Sequence, residues 1–109
     1  MPSVAIDFDD TLVGYKKYPR GEWLPGAKLA LKRLKRRGYT IVIHSCRLSW
    51  PEGRQEVIGI LEAAGFQLGS RLKLHDGPGK PLAVAYVDDR GVHFDGDWPA
   101  ALRRIKELT

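Results

Sequence analysis

The chain has one cysteine, Cys46, in 109 residues. A lone cysteine excludes an internal disulfide framework and a cysteine-rich zinc site, and it fits a reducing compartment. With no histidine and acid placed beside it in sequence as a nucleophilic set, Cys46 is expected to be a buried, inert thiol. The histidines, His44, His75 and His93, show no metal-ligand spacing and are expected to be ordinary core or edge residues. Nowhere do ~18 apolar residues run consecutively, so a hydrophobic membrane-spanning helix is excluded, and membranes drop out as partners. The opening MPSVAIDFDDTL reaches acids before any apolar run of signal-peptide length, which predicts a cytoplasmic protein. Internal repeats, linkers and low-complexity segments are also lacking. That fits one domain over residues 1–109, since domains usually hold ~100–200 residues.

What is present is a 43% apolar composition, enough for a core, and a net charge of +5 from 18 Lys and Arg against 13 Asp and Glu. The excess is unevenly spread. Lys28, Lys32, Arg33, Lys35, Arg36 and Arg37 fall in one stretch whose apolar positions, Ala27, Ala30, Leu31 and Leu34, have helical spacing. This reads as the solvated face of an amphipathic helix. The acids are more telling: Asp7, Asp9 and Asp10 stand near the start, and Asp88 and Asp89 stand side by side far downstream.

Ser3 to Asp9 begins with Val4, Ala5 and Ile6, a run too short for a helix, and reads as a buried strand. Residues 12–24 carry Gly14, Pro19 and Gly21 beside Tyr15, Tyr18 and Trp23, and form a loop or flap, with Trp23 packing it. A helix is predicted from Pro25 to Arg37, stopped by Gly38. Tyr39 to His44 is a second buried strand, ending at Ser45. Ser49-Trp50-Pro51-Glu52 matches a capping box ahead of a helix with stripe Val57, Ile58, Leu61 and Ala64, weakened by Gly53 and Gly59. Leu72 to Leu74 is a short strand, and HDGPGKP is a loop. Leu82 to Val87 is a third buried strand, Gly91 to Phe94 an edge strand, and Asp97 caps a last helix with Trp98, Ala101, Leu102, Ile105 and Leu108 inward. Apolar strands alternating with helices predict an α/β fold, a three-layer, Rossmann-like parallel sheet with helices on both faces. Ligands bind such sheets at the C-terminal ends of the strands, where Asp7, Asp9, Ser45, Asp88 and Asp89 all fall.

Side chains at i and i+2 of a strand share a face, so Asp7 and Asp9 are held about 6.6 Å apart along it. Carboxylates that close need a cation, and oxygen donors without a histidine or thiolate cluster favour Mg²⁺ over zinc.

Asp7-Phe8-Asp9-Asp10-Thr11-Leu12 after an apolar strand resembles the DxDxT motif of haloacid dehalogenase-like phosphatases. The strand ending at Ser45, the lysine Lys80 and the acidic pair of YVDD follow in that family's order, so the resemblance spans residues 4–89. His44-Ser45-Cys46-Arg47 and KPLAVAYVDDR look most like a small group of its capless hydrolases. The resemblance implies a Mg²⁺-dependent phosphomonoester hydrolase. Asp7 would be the nucleophile that forms an aspartyl-phosphate, and Asp9 the general acid and base. Ser45 and Lys80 would hold the transferring phosphoryl group, with Thr11, Cys46 and Arg47 beside the phosphate. Asp7, Asp9, Asp88 and Asp89 would hold the metal, with the choice between the last two open. Asp10 stands where most relatives have glycine; aspartate tolerates the backbone angles that position needs. Lys80 lies eight residues before Asp88, about 26 Å away if all between were strand, so the chain must turn near Pro81. Arg47 and Lys73 are alternative cations.

No cap domain fits between the motifs, so the rim is open and is covered by a large substrate, by the flap, or by a second copy of the chain. The partner is thus a phosphorylated small molecule or macromolecule. A nucleic-acid end-processing phosphatase, a catalytically weak domain that binds Mg²⁺ and phosphate, and a response-regulator receiver domain are the rival readings. The last places its phosphoacceptor on a middle strand, where this chain has Ser45.

Overall fold

The computed structural model describes residues 2–75, 85–88, 92–94 and 96–108, with side chains described at all of these except 85, 86, 88, 92, 93 and 108. In chain order the elements are β1 (Ser3–Asp7), α1 (Ala27–Arg36), β2 (Thr40–His44), a 3-10 turn (Cys46–Ser49), α2 (Pro51–Ala63), β3 (Leu72–Leu74), β4 (Ala85–Asp88), β5 (Val92–His93) and α3 (Trp98–Leu108). The strands form one sheet in the order β3-β2-β1-β4-β5, and every pairing is parallel. The chain therefore winds outward from β1 through β2 to β3, then returns to the other side of β1. That reversal beside β1 is the switch point at which open parallel sheets form a crevice.

Register explains the burial. Val4 pairs with Ile41 and Ile6 with Ile43 on one side, and Ile6 pairs with Val87 on the other. These residues, with Phe8, Leu72 and Leu74, make one apolar sheet face. That face lies in a single buried cluster with Ala27, Ala30, Leu31 and Leu34 of α1, Val57 and Leu61 of α2, and Trp98, Ala101, Leu102 and Ile105 of α3. Each fully buried Ile or Leu contributes about 1.5–3 kcal/mol before entropy is counted. Packing therefore holds α1, whose outer face is a run of mutually repelling cations. Ala5 and Val42 alternate onto the opposite face and are buried outside that cluster.

Several boundaries differ from expectation. β1 stops at Asp7, because Phe8 donates to the His44 carbonyl at 3.2 Å and its own carbonyl then gathers the N–H groups of Thr11, Leu12 and Val13, closing a turn. Residues 12–24 are a bridged hairpin rather than a loose loop: Val13 bridges Trp23, Gly14 bridges Arg20, and Leu24 donates to the Leu12 carbonyl. α1 begins at Ala27, leaving Pro25 outside, because Gly26 takes a left-handed φ of 82°. The capping box does not form. Ser49 closes the 3-10 turn, Trp50 becomes the N-cap without a side-chain bond, and Pro51 occupies the first helical turn, where its missing N–H costs nothing. Cys46 is exposed, a correction to the buried thiol: a 3-10 turn opening at residue 46 sends Cys46 outward and Arg47 inward.

Trp98 is fully buried, and its indole N–H donates to the Thr11 carbonyl at 3.1 Å, fastening α3 to the turn after β1. The Asp97 carboxylate accepts from the Ala100 N–H at 3.1 Å, so the cap of α3 forms as expected.

Candidate functional site

β1 and β2 end in register, Asp7 opposite His44, and Asp88 follows the Ile6–Val87 pair as Asp7 does on β1. Asp7, Asp9, Ser45, Arg47 and the backbone of Asp88 thus share the rim beside the switch point. Lys80 and Asp89 lie outside the described residues. Lys73 pairs with Val42 inside β3, and its side chain is exposed.

Asp9 is the hub. Its Oδ2 accepts from the Ser45 hydroxyl at 2.8 Å and its Oδ1 from the Arg47 guanidinium at 2.8 Å, across 36 and 38 residues of sequence. Ser45 also accepts the Arg47 backbone N–H at 3.2 Å, so this hydroxyl caps the 3-10 turn while it holds the carboxylate. The other arm of Arg47 bonds Glu56 Oε2 at 2.8 Å. The guanidinium lies 5.5 Å from the Phe8 ring centroid and 4.8 Å from that of Tyr15. A buried arginine needs this, because desolvating its charge is offset only by paired carboxylates and good geometry.

Glycine makes the approach of α2 possible. A Cβ at the buried Gly53 would collide with the Arg47 carbonyl and the Trp50 indole nitrogen. Glu56, one turn later, therefore faces Arg47. Glu56 and Tyr15 are site residues that sequence spacing does not indicate. The available signal was Gly53 itself, a helix-weakening residue in a helix interior, which marks a close backbone approach.

Asp10 works locally. Its φ is +57°, the left-handed region that aspartate enters more readily than most residues. Its carboxylate accepts the backbone N–H groups of Tyr15, Lys16, Lys17 and Tyr18 at 2.7–3.2 Å and so organises the flap tip. Burial alone would raise its pKa, but the four N–H donors outweigh it and hold the carboxyl below the usual carboxylate range. Thr11 is buried in the turn between Asp9 and the flap, which fits a bracing role, and it is the Thr11 carbonyl that α3 grips. Cys46, exposed beside Ser45, stands at the same end of the sheet.

Asp7 and the backbone of Asp88 end two adjacent parallel strands, positions from which oxygen donors could hold a hard cation. Among the described residues no group of three or more His, Cys, Asp or Glu is gathered closely enough to hold a metal ion. No described helix is long and apolar enough to cross a membrane.

A solved structure described as a conserved protein from Bacteroides thetaiotaomicron is similar to this chain, at 30% identity over 99% of this chain and 92% of that one, with a TM-score of 0.75. No family model and no curated protein matches.

Proposed function

We propose that this chain, which belongs to one family with the conserved Bacteroides thetaiotaomicron protein, is a cytoplasmic Mg²⁺-dependent phosphomonoester hydrolase of the haloacid dehalogenase-like kind. In this reading it is a three-layer core without a cap domain. All three described helices belong to the buried cluster on one sheet face, so the third layer, over the face where Ala5 and Val42 are buried, belongs to the proposal and not to the described helices. The observation that carries the reading is the gathering of Asp7, Asp9, Ser45 and Asp88 at the C-terminal ends of adjacent parallel strands, beside the reversal of strand order.

Asp7 attacks phosphorus in line; its carboxylate oxygen forms a new P–O bond as the ester P–O bond breaks. Asp9 gives its proton to the leaving oxygen, then takes one from the water that hydrolyses the aspartyl-phosphate. The geometry suggests which oxygen carries that proton. Oδ1 faces a guanidinium, which only donates, whereas Oδ2 faces the Ser45 hydroxyl, which can turn from donor to acceptor. Oδ2 is therefore the proton-bearing atom. Mg²⁺, held by Asp7, the Asp9 carbonyl and Asp88 or Asp89, would neutralise the phosphate so that an anionic nucleophile can approach it.

The test is hydrolysis of p-nitrophenyl phosphate with Mg²⁺ by the wild-type chain and by Asp7→Asn. Activity should fall to background in the variant while its circular dichroism spectrum is unchanged. Wild-type activity in Asp7→Asn would overturn the assignment.

A further inference from the structure

We propose that the phosphomonoester cut by this site is the terminal phosphate of a single-stranded polynucleotide, whose backbone runs from the rim along the flap and down α1; this rests on the phosphatase reading above. Six exposed cations mark that route: Lys16, Lys17 and Arg20 on the flap, then Lys28, Lys32 and Arg36 on α1. Among the described residues none of the six has a carboxylate at ion-pair distance, in contrast to Arg47 and Arg104, which do. Charges left unpaired inside a folded chain are available to a partner.

The route is continuous. The flap grows directly from the turn after β1, and its tip is fixed by the Asp10 carboxylate, so the segment that carries the three flap cations is tied to the turn that follows Asp7. Aromatic rings hold them in place: Lys16 lies 5.9 Å and Arg20 4.4 Å from the Tyr15 centroid, and Lys17 lies 5.7 Å from that of Tyr18. At the base of the flap, Trp23 is bridged to Val13 and carries Lys28 at 5.7 Å over its ring, joining flap to helix. Lys28, Lys32 and Arg36 recur every fourth residue, which sets them in one row about 6 Å apart along the helix axis.

Charge that leads away from a reaction site in a line matches a substrate whose anions continue in a chain beyond the ester. The second feature selects a nucleic acid among polyanions. Trp50 is 47% exposed at the N-terminus of α2, at the same end of the sheet as Ser45, and presents a ring on which a base can stack.

The experiment measures binding and turnover separately with the wild-type full chain. Fluorescence anisotropy is followed with a labelled single-stranded oligonucleotide bearing a 5′-phosphate, a 3′-phosphate or no terminal phosphate, across a salt series and against inorganic polyphosphate. Expected are salt-sensitive binding, strengthened by one of the terminal phosphates, and release of inorganic phosphate from that oligonucleotide with Mg²⁺. Replacing Lys28, Lys32 and Arg36 together by Gln should weaken binding about tenfold or more and reduce the salt slope by about 2, at ~0.7 per lost contact. Trp50→Ala should weaken oligonucleotide binding severalfold and leave polyphosphate binding unchanged. Binding by the triple variant equal to wild type, or polyphosphate held as tightly as oligonucleotide with Trp50→Ala silent, overturns the proposal. Hydrolysis of p-nitrophenyl phosphate without salt-sensitive oligonucleotide binding overturns the substrate class alone. Strand binding lost in the triple variant, with no hydrolysis of any ester, overturns the reaction and leaves the binding surface standing.

Discussion

Two arginines face one ring and serve opposite ends. Arg47 and Arg20 lie 4.8 and 4.4 Å from the Tyr15 centroid, yet Arg47 is buried and forked between two carboxylates while Arg20 is exposed and paired with none among the described residues. The difference comes from what stands under each. Arg47 sits on a 3-10 turn pressed against α2 at Gly53, so its charge is out of water and must be matched internally. Arg20 sits exposed on the hairpin, where the ring orients it and no described carboxylate neutralises it. Rim charge thus fixes the position of Asp9, and flap charge faces solvent.

The largest effect that would break this contrast is at Arg47. Arg47→Ala leaves the Asp9 carboxylate, 21% exposed, with only the Ser45 hydroxyl among the described residues, and should cost about 3–5 kcal/mol in urea unfolding. Glu56→Gln should cost only ~0–1 kcal/mol, because that end of the network is 56% exposed. Equal costs for the two would mean that the fork is one surface ion pair and that Asp9 is held by other means.

A middle-sized effect separates the two neighbouring aspartates. Asp10→Ala removes a carboxylate that takes four backbone N–H groups and places a Cβ-bearing residue without a local hydrogen bond at φ +57°. It should cost about 2–3 kcal/mol, of which Asp10→Gly, tolerant of that φ, recovers about 1 kcal/mol. Because the Asp10 carboxylate bonds the flap backbone, the loss should appear as faster hydrogen exchange at residues 15–18. If exchange there is unchanged while hydrolysis disappears, Asp10 belongs with Asp9 at the chemistry.

These residues also show what the sequence makes legible. Apolar runs such as VAI and TIVI locate the strands because a central parallel strand has no water-facing side, and the stripe of α3 locates Trp98 for the same reason. Asp7, Asp9, Ser45 and the backbone of Asp88 meet at strand ends because parallel topology sets the C-terminal ends of the strands along one edge. Arg47 was nameable as a candidate cation, but its burial was not, since arginine is ordinarily exposed and only the close approach of α2 reverses that. Cys46 misled in the opposite direction: free cysteine is among the most buried residues, and here one residue of 3-10 turn decides which side chain turns inward. Glu56 pairs with Arg47 from another element, so no local spacing announces it.

The smallest expected effect tests the exposed half of the contrast. Arg20→Gln should change stability by only about 0.5–1 kcal/mol, the worth of an exposed cation over a tyrosine ring. The flap backbone loses nothing by it, because its ladder uses the Gly14, Gly21 and Leu24 N–H groups and its tip uses Asp10. Tyr15→Leu serves as the partner substitution, since it removes the ring from both arginines at once. In a double-mutant cycle, Tyr15 and Arg20 should couple by no more than this, and Tyr15 and Arg47 by more, because desolvation strengthens the attraction between a cation and a ring. Coupling as strong to Arg20 as to Arg47 would show that both guanidinia are structural. The charge on the flap would then be committed to the fold, just as the charge on the rim is.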